Sequence, residues 1–414
     1  MRAALRSLSA VVLIKLRASI NRFVQACKPS QADDAGSCAT LPAAGDARGN
    51  VLLCYLKAPA LLSPGDPRLD VGHPNKWDSW TIASVLREFG WNVDVIDWDD
   101  RCFLPKKHYD AIIALDGNGA RIADLVEGPN PKLILHLTTA SEEFNNGAEV
   151  SRIDALAHRR GVHLRPHRQL AHSDESETAV ESSACCSLIG NSWTLETYPE
   201  EVRDKMTLFN VTTLPVKKSR PVQLATKDLG RNVFVWYFGG GAVHKGLDVV
   251  LEVFSALQGM ELHVVGNLEH EPDFLWEYRR ELFLTPSIHY HGYLSSDSDE
   301  LADVFEQSTF LIAPSCSESM STAVAFGMLN GLIPICTQET GVTITGEVGI
   351  QIAAGTPSAV TSAVAEASAL TPEQRDRMAL GAQGSAKSTF SRGAYRDQMT
   401  AFLAAALGVG ERAS

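Results

Sequence analysis

Two series of short apolar strands alternating with helical patterns, separated by a stretch that fits neither period, set the limits on how this chain can fold. The first series predicts strands over 51–57, 93–98, 111–115, 133–136 and 187–190, with helices over 77–89 and 148–160. At 214–229, Pro215, Pro221 and clustered Lys and Arg interrupt any period. The second series predicts strands over 233–238, 262–265, 288–290, 310–313 and 333–336, with helices over 247–257, 274–283, 300–307 and 322–329. Parallel strands need a crossover helix, so this alternation predicts parallel α/β sheets. A chain of 414 residues is too long for one core. The expected fold is therefore two doubly wound Rossmann-like domains facing a cleft, with ligands beyond the carboxyl ends of the strands. The N-terminal domain is expected over 50–215 and the C-terminal domain over 216–390. A basic helix and linker occupy 1–49, and a C-terminal helix over 391–414 is placed to cross back to the N-terminal domain.

The net charge of -12 argues against nucleic acid as a partner, because phosphate backbones demand a basic face. The charge is uneven: residues 1–30 carry six Lys and Arg and no acidic residue. Within 1–27, Leu5, Leu8, Val12, Leu16, Ile20 and Phe23 recur at helical steps, which suits either an anionic membrane surface or the body of the protein. Eight cysteines without Cys-x-x-Cys spacing form neither a disulfide scaffold nor a zinc site, and Cys185 and Cys186 read as small apolar residues. A cytoplasmic setting follows, at the inner membrane face if the basic helix binds lipid.

The segment 233–254 is the most informative. An apolar strand runs into Gly239, Gly240 and Gly241, then His244, Lys245 and Gly246, then an amphipathic helix. Glycines let backbone N–H groups approach an anion, a helix start adds its positive dipole end, and Lys245 adds a full charge. That combination suits a diphosphate, although tight turns use glycine without any ligand. In 310–337 a second buried strand ends at Pro314 and is followed by a small polar loop carrying Ser317, Glu318, Ser319, Met320 and Ser321. On parallel strands Glu318 shares an edge with Lys245. Its carboxylate either accepts hydrogen bonds from ribose hydroxyls or merely caps the next helix, while Ser319 and nearby N–H groups reach phosphate.

Strand, glycine loop and Lys-Gly, then VVG at 264–266, IHYHGYL at 288–294, PS-x-S-E and GLIPI together resemble family 4 (group 1) retaining glycosyltransferases of GT-B fold. The resemblance covers about 150 residues well. It implies transfer of a sugar from a nucleotide-diphosphate donor to a glycan, polysaccharide-precursor or glycolipid acceptor, with no cofactor and no metal. By this likeness Lys245 neutralises the diphosphate and Glu318 is the first Glu of a Glu-x7-Glu pair. Gly266 and Tyr293 belong to the donor site, with Tyr293 and the Gly292 backbone near the base. His136, at a strand end, falls where a histidine touches the donor sugar. Two positions depart from the pattern: Gly240 stands where an arginine is common, a loss that His244 is placed to offset in part, and Phe326 replaces the second Glu.

His73 and Asn75 open a helix at the cleft edge and read as acceptor contacts. Arg152 heads a basic run, Arg159, Arg160, Arg165, His167 and Arg168, that suits either an acceptor phosphate or a solvated helix face. Asp97, Asp99 and Asp100 read as turn residues rather than a metal site. Two other functions share the frame: a nucleotide-sugar 2-epimerase, and a non-catalytic GT-B-fold binding protein.

Overall fold

The structure, a computed structural model, describes residues 38–171, 173–216 and 232–409. The amphipathic segment 1–27 lies outside the described residues. Strands β1 (Ala39–Leu41), β2 (Gly49–Tyr55), β3 (Trp91–Asp97), β4 (Ala111–Ala114), β5 (Lys132–Leu137), β6 (Cys185–Ile189) and β7 (Met206–Phe209) form one sheet in the order β1-β3-β2-β4-β5-β6-β7. A second sheet holds β8 (Val233–Phe238), β9 (Glu261–Gly266), β10 (Ile288–Gly292), β11 (Phe310–Ala313), β12 (Ile333–Thr337) and β13 (Ile350–Ile352), in the order β10-β9-β8-β11-β12-β13. Every neighbouring pair is parallel except β1 against β3. The architecture is GT-B: two doubly wound domains across a cleft.

The helices that bear on the cleft are α1 (Asn75–Glu88), α2 (Gly117–Ala123), α3 (Glu142–Arg160), α4 (Ser173–Ser182), α5 (Leu247–Ala256), α6 (Pro272–Glu277), α7 (Arg279–Leu284), α8 (Thr322–Leu329) and α9 (Arg392–Leu407). The central strands are apolar throughout because helices cover both sheet faces; all of Phe310–Ala313 is buried.

Sequence expectations and structure part at several places. Residues Ala39–Leu41, expected within the linker, pair antiparallel with Val93–Val95, and Thr40 Oγ1 donates to the buried Asp94 at 2.7 Å. Strand β7 was not expected, since its four residues carry no clear alternation. The helix expected over 274–283 is two helices joined at Tyr278, whose buried ring stacks on Phe274 at 4.6 Å. Helix α9 lies on the N-terminal domain: Arg396 pairs with Glu88 at 2.7 Å, and Gln398 donates to the Leu208 carbonyl at 2.6 Å.

Strand order reverses between β2 and β4 in one sheet and between β8 and β11 in the other. Side-by-side strands whose crossovers leave in opposite directions open a crevice at their carboxyl ends. Both crevices open into one cavity of about 450 Å³, lined by Tyr55 and Leu115 from one domain and by Lys245 and Glu318 from the other.

Candidate active site

The loop after β8 places Lys245 by backbone geometry. Gly246 caps α5 with φ 73°, and a Cβ there would meet the Pro314 carbonyl oxygen at 2.4 Å, so only glycine fits. The Lys245 ammonium pairs with Glu318 at 2.7 Å, and the lysine is 6% exposed. Burial lowers the Lys245 pKa, and the charge of Glu318 opposes that shift. Ser315 Oγ donates to the other Glu318 oxygen at 3.1 Å, which fixes the carboxylate beside the lysine. Glu318 therefore orients Lys245 instead of capping a helix; the cap of α8 is Ser321, whose hydroxyl accepts from the Val324 N–H.

The glycine turn itself is already filled with a carboxylate. Glu271, 2% exposed, accepts from the N–H groups of Gly241 at 2.5 Å and Ala242 at 2.8 Å. The α5 start carries Asp248, fully buried and paired with Arg159 at 2.6 Å. The expectation that the 239–241 amides and this helix start would hold an anion is therefore corrected at Gly241. Gly239 lines a side cavity, and Gly240 lies near Glu271 and the Asn267 carbonyl. The helix start left open to the cleft is that of α8, which has no acidic residue in its first turn and whose Thr322 lines the cavity.

His244 is 1% exposed and donates from Nε2 to the Ser317 carbonyl at 2.6 Å. Burial and the neighbouring Lys245 push its pKa down to about 2, so it is neutral and supplies no charge in place of the missing arginine. A cation from the basic run stands there instead. Arg168, from the N-terminal domain, lines the cavity, and a Cβ on Gly241 (φ 82°) would strike its Cγ at 2.6 Å. Among the described residues no carboxylate pairs with the Arg168 guanidinium, whose charge acts on Lys245, His244 and His73. In sequence it belongs to the basic run suited to an acceptor phosphate or a solvated helix face, and the offset for Gly240 is expected of His244.

The remaining basic run serves another purpose. Arg152 is 7% exposed and donates to the Pro314 carbonyl across the domain boundary at 3.0 Å, so the acceptor role expected for it is corrected to a domain tie. Arg159 reaches Asp248 and Glu252, and Arg160 reaches Glu277 and Glu281 while stacking 4.3 Å over Tyr278. His136 is also corrected: it is 2% exposed, bonded through Nδ1 to Ser187 at 2.8 Å and packed against Tyr55, Phe209 and Tyr395. Its side chain lies on the face under α9, because alternate residues of a strand face opposite sides. Burial lowers its pKa to about 4.

His73 and Asn75 line the cavity as expected, with the Asn75 N–H donating to His73 Nδ1 at 3.2 Å. His73 keeps surface open to the cleft, and the enclosing walls lower its pKa. Ser317, Ser319 and Met320 also line it. The Ser319 hydroxyl, however, donates to Thr138 across the cleft at 2.7 Å, and Met320 Sδ accepts from the Val211 N–H at 3.3 Å. Tyr293, 58% exposed, borders a side cavity of about 280 Å³ with Gly239, Gly266, Tyr237 and Phe326. Phe326 packs on Tyr237 and Phe305, so this wall is aromatic at the position where the sequence departs from the second Glu of the family pattern. Asp78, also on the cavity wall, accepts from Thr212 at 2.9 Å; burial raises its pKa to about 7. Asp97 and Asp100 accept N–H bonds from Lys57 and Cys102 at turns.

Residues 233–369 match the family model of the group 1 glycosyl transferases. Sucrose-phosphate synthase from Thermosynechococcus elongatus superposes with a TM-score of 0.62 at 12% identity, over 88% of this chain and 100% of that one. Anabaena HepE, solved in complex with UDP-glucose, gives 0.57 at 11% identity over 86% and 100%. The catalytic domain of starch synthase IV from Arabidopsis thaliana, bound to ADP and acarbose, gives 0.50 at 12% identity over 81% and 77%. No curated protein matches the sequence.

Proposed function

On a GT-B frame whose segment 233–369 belongs to the group 1 glycosyl transferases, we propose that this protein moves a hexosyl group from a nucleotide-diphosphate sugar to a hydroxyl acceptor, with retention of configuration. The observation that carries the proposal is the pair of buried Lys245 and half-buried Glu318 before the start of α8, with Arg168 lining the same cavity from the other domain. The diphosphate sits at the α8 start against these two cations, the base lies toward Tyr293, and the sugar points to His73 and Asn75. As the bond from the sugar to phosphate breaks, charge grows on the departing diphosphate. Lys245, Arg168 and the α8 amides stabilise it in a site already shielded from water, without reorganisation. The acceptor oxygen bonds to the same carbon on the same face, and its proton passes to the departing phosphate oxygen. Side chains supply the positive charge, so the reaction needs no metal. An aromatic wall at Phe326 holds the nucleoside by packing in place of a bond to ribose.

Lys245→Ala, assayed against a panel of nucleotide sugars, is expected to lower turnover by about 10²–10³; near-normal turnover sinks the assignment. One observation favours a second reading as a non-catalytic binding protein: Glu271 occupies the Gly241 and Ala242 amides while Phe326 removes a polar contact. Nucleotide binding without turnover of any donor decides for that reading.

A further inference from the structure

Beside the cleft the N-terminal domain contains a second cavity of about 330 Å³, which none of the residues discussed so far explains. Its floor is apolar: Leu135 and Leu137 from β5, Val180 from α4, then Tyr198 and Val202. Each of these is at most 7% exposed, so the cavity enters the core between the sheet and α4. Its mouth opens toward the donor site, because Leu115, Asp116, Thr139 and Glu142 line both cavities. Every charged side chain on its walls is acidic, with Glu143, Glu177 and Glu181 joining Asp116 and Glu142. The basic run lies elsewhere, spent on the domain boundary or turned to the donor site.

These properties specify a ligand class. Apolar walls reward burial of an alkyl or aryl group, while carboxylates at the rim accept hydrogen bonds from hydroxyl or ammonium groups and repel phosphate. We propose that this cavity is the acceptor's aglycone subsite, and that it takes a neutral or cationic amphiphile whose hydroxyls reach the donor sugar across Thr139. A phosphorylated lipid, the acceptor that the basic run suggested, does not suit it. The proposal rests on the transferase reading for its role as an acceptor site.

The test uses the full chain with UDP present, and isothermal titration with octyl β-glucoside below its micelle concentration. Octyl β-glucoside is expected to bind the wild type, and Val180→Trp to weaken that binding at least about tenfold by filling the cavity. UDP affinity is expected to stay unchanged, and octyl phosphate to bind about tenfold more weakly than the glucoside. Equal octyl glucoside binding in wild type and variant overturns the proposal, as does octyl phosphate binding as tightly as the glucoside. If circular dichroism shows Val180→Trp unfolded, Val202→Trp on the other wall carries the same test. Should the wild type bind no nucleotide diphosphate, the transferase reading fails by itself, and the acceptor role falls with it even where octyl glucoside binds.

Discussion

Arg159 and Arg168 come from one basic run of the N-terminal domain and meet the same partner domain, yet they end in opposite situations. Arg159 finds Asp248 and Glu252, and its charge is consumed in holding the two domains together. Arg168 lies against Gly241 at the cavity wall; its backbone N–H donates to Glu149 at 2.9 Å, but among the described residues its guanidinium pairs with no carboxylate. Arg159, neutralised by fully buried Asp248 across the domain boundary, is structural. A cation kept near another cation, here Lys245, is poised for an anion that arrives from outside. The carboxylates differ in their partners: burial raises the pKa of both, but the Arg152 and Arg159 charges oppose that shift at Asp248, whereas the Thr212 hydroxyl and the Arg392 charge leave Asp78 holding its proton up to about pH 7.

The largest effect expected from breaking the contrast is on the structural side. Arg159→Ala strands Asp248 without its partner, and urea denaturation is expected to show a loss of about 3–5 kcal/mol. Nucleotide binding by the folded fraction should be retained; its loss would place Arg159 in the site. Lys245→Ala should leave the unfolding midpoint near that of the wild type while turnover falls by about 10²–10³. Asp78→Asn sharpens the carboxylate comparison through pH. The folded pKa of Asp78 lies above its unfolded value, so the folded state binds more protons between them, and the stability this residue contributes falls as pH rises toward and through about 7. Relative to the wild type, the Asn variant is expected to gain about 2–3 kcal/mol between pH 5 and pH 8. A constant difference across that range would mean that Asp78 ionises normally. Arg168→Ala should cost binding rather than stability: nucleotide-diphosphate affinity falls by about 1.5–3 kcal/mol, uridine affinity does not change, and the melting temperature stays within a degree or two.

Much of the donor side was legible in the sequence because its signals are local. An apolar strand, a glycine suited to a left-handed turn that other residues rarely adopt, and a lysine one residue before it are read within fourteen positions, 233–246. Glu318 could be placed beside Lys245 because parallel strands end at one edge. The acceptor side was less legible. His136 sits at a strand end as expected, but the face it occupies depends on α9, which returns from 259 residues away. Arg152 looked like a ligand for phosphate and is a tie between domains, because its partner is a backbone carbonyl that carries no mark in the sequence. The apolar cavity under Thr139 combines Leu115 and Asp116, which follow β4, with residues of β5, α3 and α4 and the 197–202 segment, none unusual in its own element.

By itself, then, the order of residues determined two doubly wound sheets, the turn that presents Lys245 and the edge on which Glu318 meets it, since hydrophobic period and backbone sterics act over a few residues. The tertiary structure decided what each charge is for. Glu271 closes the glycine turn from 30 positions away, and Asp248 claims Arg159 across 89. Arg168 stays open at the cleft because an ion pair depends on distance in space and on shared burial, neither of which is written in sequence spacing.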